Sequence, residues 1–170
     1  MKTWIATALI VAALASPARS VATTDSGQDA AKAQIQQVIE RFQTSVIKKD
    51  RAALRELFLP TGNSWIAVPS AATYRIVKAK HPKARRYMPD SYAHFIDFVC
   101  GTAEPLQETF SNVRIDTDGT VASVYFDYVF LASGKPANHG SEVWQLIDTG
   151  DGWKINALVY SIHLDAAQVK

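Results

Sequence analysis

The chain has 170 residues, 48% of them hydrophobic and 20% charged, with a formal net charge of +2. This balance excludes a disordered polyelectrolyte and suits one domain with a substantial core. Setting aside Lys2 and Arg19 reduces the 18 basic residues to 16, equal to the 16 acidic ones, so the basic isoelectric point argues for no nucleic-acid partner.

Residues 1–22 read as a secretory signal peptide. Lys2 precedes an apolar run over 4–15, then come Pro17 and the small residues Ser20-Val21-Ala22; Ala15, Ser20 and Ala22 are the candidate cleavage points, with Ala22 favoured. The run falls short of the roughly 20 residues needed to span a bilayer, so no stable membrane anchor is expected. Residues 23–170 then form a single domain exported to a periplasm or beyond. Cys100 is the sole cysteine, which rules out an internal disulfide.

Ile35, Val38, Ile39, Phe42 and Val46 share one face at helical spacing, predicting a helix over 29–48. Asp50 stands where a cap would start a second helix, with Leu54, Leu57 and Phe58 as its apolar side and Pro60 as its stop. Residues 65–68 read as a short strand. Between Pro69 and Pro89 the pattern lapses, and Arg75, Lys78, Lys80, Lys83, Arg85 and Arg86 gather around His81 without an acid; this reads as a long exposed loop, with or without a short helix. Such a loop is either solvated or a patch for an anionic partner. Ser91 caps a third helix over 91–99, bearing Tyr92, Phe95, Phe98 and Val99.

The remainder is β-rich. Residues 106–115, 121–131, 142–147 and 153–164 are dense in β-branched and aromatic side chains, separated by Asp118-Gly119, a loop over 133–138, and a break over 148–152. Helices followed by a meander predict an α+β fold, a curved antiparallel sheet wrapped around N-terminal helices.

The long first helix, Lys48-Lys49-Asp50 followed by Leu54-x-x-Leu57-Phe58, the segment Tyr92-x-x-Phe95-Ile96, and the terminal Gly152-Trp153-Lys154-Ile155 resemble the nuclear-transport-factor-2-like superfamily. Tyr128-x-Phe130, Gly134-Lys135, His139-Gly140 and Trp144-Gln145-Leu146 look like its SnoaL-like and lumazine-binding-like branches. The resemblance implies a cone-shaped scaffold that hosts isomerases, cyclases, dehydratases and binding proteins, and a homodimer formed through the sheet. It specifies fold better than chemistry.

A hairpin loop over 133–138 sets Tyr128 opposite Val143 and Phe126 opposite Gln145. The concave face then holds Trp153, Ile155, Ala157, Val159 and Ser161, with Asp127, Glu142, Lys154 and Asn156 outside. Tyr125, Trp144, Leu158 and Tyr160 would supply the aromatic and apolar surface of a dimer. A slip by one residue reverses every assignment.

On this register the expected ligand-binding residues are Trp65, Tyr92, Tyr128, Ser141, Gln145 and Ser161, with His163 at the edge. Tyr128 and Gln145 are equally explained by bonding each other within a filled core. His94, Asp97, Asp127 and Tyr128 are the acid/base candidates, His94 and Asp97 forming a His–Asp pair three residues apart. Asp127 falls outside on this register, and the helical pair is equally explained by facing solvent opposite Phe95 and Phe98. His81, His94, His139 and His163 lack ligand spacing, so neither metal nor cofactor is expected. These readings favour an exported protein binding a small apolar or mixed-polarity molecule. An acid/base enzyme of isomerase, dehydratase or cyclase type and a non-catalytic dimerising domain are the alternatives.

Overall fold

Helix α1 (Thr23–Lys48) begins the described part of the chain, residues 23–164 of a computed structural model. The expected signal peptide lies outside the described residues. Ile35, Ile39, Phe42 and Val46 are fully buried, as their spacing requires. The helix ends where Lys49 turns left-handed (φ 53°). There Asp50 N donates to Ser45 O at 2.9 Å and Lys49 N to Val46 O at 3.2 Å, the two bonds of a Schellman close. Asp50 at once caps α2 (Arg51–Glu56) by accepting from Ala53 N at 3.0 Å.

Strand β1 (Ser64–Pro69) follows, then α3 (Ala71–Lys80), in the stretch the sequence reading takes as a long loop with or without a short helix. Ser70 caps α3 and Thr73 is buried against the body. Two of the cations are tied locally: Arg86 lies over the Tyr74 ring and donates to Pro69 O, and Lys78 Nζ reaches Ala84 O at 3.1 Å. Strand β2 (Met88–Asp90) leads into α4 (Tyr92–Gly101), capped by Ser91 as expected. Cys100, near the end of α4, is half-buried, with Sγ 3.4 Å from Lys49 O.

The long strands are β3 (Leu106–Thr117), β4 (Val121–Ala132), β5 (Lys135–Asp148) and β6 (Trp153–Ile162). They build a curved, unclosed sheet in the order β2-β1-β6-β5-β4-β3, antiparallel except for the parallel β1–β6 pair. The fold is α+β, with α1 and α4 covering the inner face around a core that includes Phe42, Phe126, Trp144 and Leu158. No described helix is long and apolar enough to cross a membrane.

Two local features overturn the expected register. Ser133 (φ 50°) and Gly134 (φ 73°) form a two-residue turn, pairing Ala132 with Lys135, and one bulge follows at Ala137. Tyr128 therefore faces Gly140, and Phe126 faces Glu142. The shift is three positions, an odd number, so β5 is inverted: Glu142, Trp144 and Leu146 point inward, while Ser141 and Gln145 point outward. In β6, Trp153 and Ile155 point inward as expected. A bulge at Asn156 then turns Leu158 and Tyr160 in and Ala157, Val159 and Ser161 out. Trp144 and Leu158 are thus core residues, Tyr160 packs inward against them, and the outer face keeps Tyr125, Val143 and Val159 instead.

Candidate functional site

The inner face and α4 enclose a cavity of about 440 Å³. Trp65 of β1, Phe95 and Phe98 of α4, Phe130 of β4 and Tyr160 of β6 supply aromatic walls. Two carboxyls stand among them. Glu108 lies in phase with Leu106 and Phe110 on β3, and Glu142 with Trp144 and Leu146 on β5, so sheet alternation forces both inward. They are only 6% and 4% exposed.

Glu142 Oε1 accepts a hydrogen bond from Trp144 Nε1. Burial pushes its pKa up to about 8 against that opposing bond. Burial first, and then repulsion from Glu142, raise Glu108 well above the ordinary carboxylate range. Glu142 is therefore mostly neutral at pH 7, and burial favours the neutral form of Glu108 as well. Among the described residues nothing hydrogen-bonds the Glu108 carboxyl. No fully occluded side-chain oxygen lacks a partner either, so the Glu108 oxygens open onto the cavity.

The Tyr128 hydroxyl lies 2.8 Å from Ser161 O and 2.9 Å from Asn138 Oδ1. A carbonyl can only accept, so the phenolic proton belongs to Ser161 O. The Asn138 contact is then satisfied with the amide turned to present its NH₂ group. Burial, followed by the charges of Glu108 and Glu142, raises the Tyr128 pKa. Tyr128 acts as a strut between strands, its single proton already committed. Burial pushes Tyr160 up to about 12, partly offset by a hydrogen bond with Trp65.

The expected site residues divide between the two faces. Trp65, Tyr128 and His94 reach the cavity. His94 stands at the mouth with a side chain 74% exposed, and its partner is Asp90, 2.8 Å from Nδ1, in place of the expected Asp97. Asp97 pairs with Arg51 on the surface, and that bond lowers its pKa. Tyr92 stacks on Phe58 with centroids 5.0 Å apart, outside the cavity lining.

Asp127 and Ser141 meet on the outer face, Ser141 Oγ 2.9 Å from Asp127 Oδ1 and Asn112 Nδ2 2.8 Å from Oδ2. Those bonds, Asn112 first, lower the Asp127 pKa. Ser161 Oγ accepts from Ser141 N at 3.0 Å, and Gln145 is exposed. Both lie outside the expected pocket because of the inverted β5 and the β6 bulge. His163 stacks on His139 with centroids 5.4 Å apart. Among the described residues no group of three or more His, Cys, Asp or Glu could hold a metal ion.

Sequence reasoning missed Glu108, Glu142, Asn138, Tyr160 and Asp90. Glu142 even served as a marker of the outer face. The available signal was the pattern Glu-x-Trp-x-Leu over 142–146 and Leu-x-Glu-x-Phe over 106–110, each an acid inside an apolar alternation.

Comparison with solved structures decides the fold. An NTF2-like protein with a cystatin-like fold from Novosphingobium aromaticivorans superposes with a TM-score of 0.61 at 14% identity, over 86% of this chain and 91% of that one. The chain has the NTF2-like fold. An NTF2-like protein of unknown function from Shewanella baltica gives a TM-score of 0.56 at 15% identity, over 86% of this chain and 100% of its own. A candidate dehydratase of the NTF2-like family from Streptomyces avermitilis gives 0.58 at 17% identity, over 81% and 99%. No family model matches the sequence, and comparison with curated proteins finds no significant relative.

Proposed function

We propose that this NTF2-like protein binds a small, mainly apolar molecule in the cavity between sheet and helices. The observation carrying this is the Glu108 carboxyl, 6% exposed, held by no described partner and open to the cavity. Its oxygens meet the cavity and no protein group, so a ligand there can take them up directly in exchange for water. The volume of about 440 Å³ falls in the range of small-molecule sites. Trp65 in the wall gives the test: a ligand recovered by native mass spectrometry should quench fluorescence, and Trp65→Phe should remove most of that signal. A protein that carries no bound mass and shows no quenching with any apolar compound would refute the reading.

A second reading, an acid/base enzyme of dehydratase or isomerase type, is favoured by the His94–Asp90 pair at the mouth of a cavity holding two carboxyls whose pKa values burial raises. A base beside carboxyls whose neutral form burial favours can move a proton on a bound substrate. On this reading His94→Ala lowers turnover by roughly 10²- to 10⁴-fold while leaving binding intact. Placement in the SnoaL-like branch rests on the residues around Tyr128 and Trp144. Export rests on residues 1–22, and pairing of two copies through the outer face rests on the family resemblance.

A further inference from the structure

We infer that the ligand of this cavity carries an organic ammonium group, seated between Glu108 and Glu142 and ringed by aromatic side chains. This rests on the reading of the cavity as a ligand site. Four acids line it, Asp90, Glu104, Glu108 and Glu142, while no lysine or arginine does. The one basic group there, His94, is already bonded to Asp90. A carboxylate or phosphate ligand would enter against that field and find no countercharge.

A neutral ligand would need donors or acceptors, which hydroxyl and amide side chains supply without the cost of burying carboxyls. It would also gain nothing from the exposed acids. An ammonium uses every element of the site. Asp90 and Glu104 draw it to the mouth. Trp65, Phe98, Phe130 and Tyr160 line the walls, and aromatic rings attract a nearby cation. The unpartnered Glu108 carboxyl supplies acceptor oxygens nine-tenths buried and aimed into the cavity. The four acids do not form a metal cage: among the described residues no such cluster exists.

The proton balance follows from the state of the empty cavity. At pH 7 Glu142 holds its proton, because burial favours the neutral form. An ammonium placed beside it reverses that preference. The carboxyl gives its proton to solvent, the ligand keeps its own, and the bound state is an ion pair.

The test is titration calorimetry at pH 7 on the mature chain, with phenethylamine, its neutral isostere phenethyl alcohol, and hydrocinnamate as the anion. Each titration is repeated in two buffers of different ionisation enthalpy. The amine is expected to bind at least tenfold more tightly than the alcohol, with release of about one proton, and hydrocinnamate not at all. Glu142→Gln should weaken the amine at least tenfold and leave the alcohol unchanged. Glu108→Gln should also weaken the amine. If either variant fails to fold, proton release by the unmodified protein still decides the matter. Alcohol binding as tight as the amine, or amine binding without proton release, overturns the ammonium assignment and leaves the cavity reading standing. If no probe binds and the purified protein carries no occupant, both are overturned.

Discussion

Glu142→Gln is expected to stabilise the folded protein at neutral pH, although it removes a charge-bearing side chain and adds no contact. Glutamine keeps the acceptor that Trp144 Nε1 uses and the volume of the carboxyl, so the two proteins should be equally stable at pH 4. Above that the wild type changes. Its carboxyl titrates at the ordinary 4.5 when unfolded and at about 8 when folded. Between those values the unfolded state has released a proton that the folded state retains. Stability therefore falls as pH rises, by about 1.4 kcal/mol per pH unit.

About 3 kcal/mol is lost by pH 7 and about 5 kcal/mol by pH 9, where the loss levels off. Against a typical total of about 5–15 kcal/mol, this is large. The carboxylates with lowered pKa, Asp97, Asp118 and Asp127, act in the opposite sense and only at acid pH: their stabilisation is present above 3.8 and disappears below it. Urea melts of both proteins at half-unit steps from pH 4 to 9 measure the difference directly. A gap that widens with pH in favour of glutamine is expected. Parallel profiles would show that Glu142 is not held neutral, and the account of the cavity would fail with it.

Three further outcomes are expected. Trp144→Phe removes the hydrogen bond that holds the Glu142 pKa down, so the alkaline end of the stability decline should move to higher pH in the same melts; an unchanged profile would show that the bond has no such effect. Gly140→Ala would place a Cβ 2.1 Å from Ser161 O, a backbone atom that also takes the Tyr128 proton, so a loss on the order of 1–3 kcal/mol is expected by thermal melting. No loss would mean that β5 and β6 separate easily there. Asp97→Asn, on the surface beside Arg51, should leave ligand binding and the alkaline pH profile untouched; a change in either would put Asp97 back at the site.

What could be read from the sequence was set locally. The apolar face of α1, the caps Asp50 and Ser91, and the alternation that turns Phe126 and Tyr128 inward each depend on neighbours within one turn or one strand. The faces of β5 and the end of β6 depend on parity, which the sequence conceals. Ser133 through Asn138 all look like turn residues, yet only Ser133 and Gly134 turn, and the bulge at Ala137 lies next to Pro136. Asn156 bulges with no glycine to announce it. One miscounted residue in either place moves a pocket from one side of the sheet to the other. Helix α3 was hidden by its cations, which dominate the pattern, while its burial rests on the single small residue Thr73.

Glu142 failed for a different reason. Charged residues almost always lie outside unless paired, and using that rule to orient β5 inverts the strand. The rule breaks where a protein keeps acids in its core for a purpose, and such positions are where local consistency gives way to function. The energetics make the purpose specific. Holding Glu142 protonated at pH 7 costs about 3 kcal/mol of stability, and binding a ligand to the folded state returns about 2.7 kcal/mol when its free concentration is about 100 times its Kd. An occupant at that saturation offsets most of the cost of the buried acid. It follows that the stabilisation conferred by a cation should grow as pH rises from 5 to 8, since less work is then needed to remove the proton the cation displaces. A neutral occupant, which needs the proton in place, should stabilise least at the alkaline end.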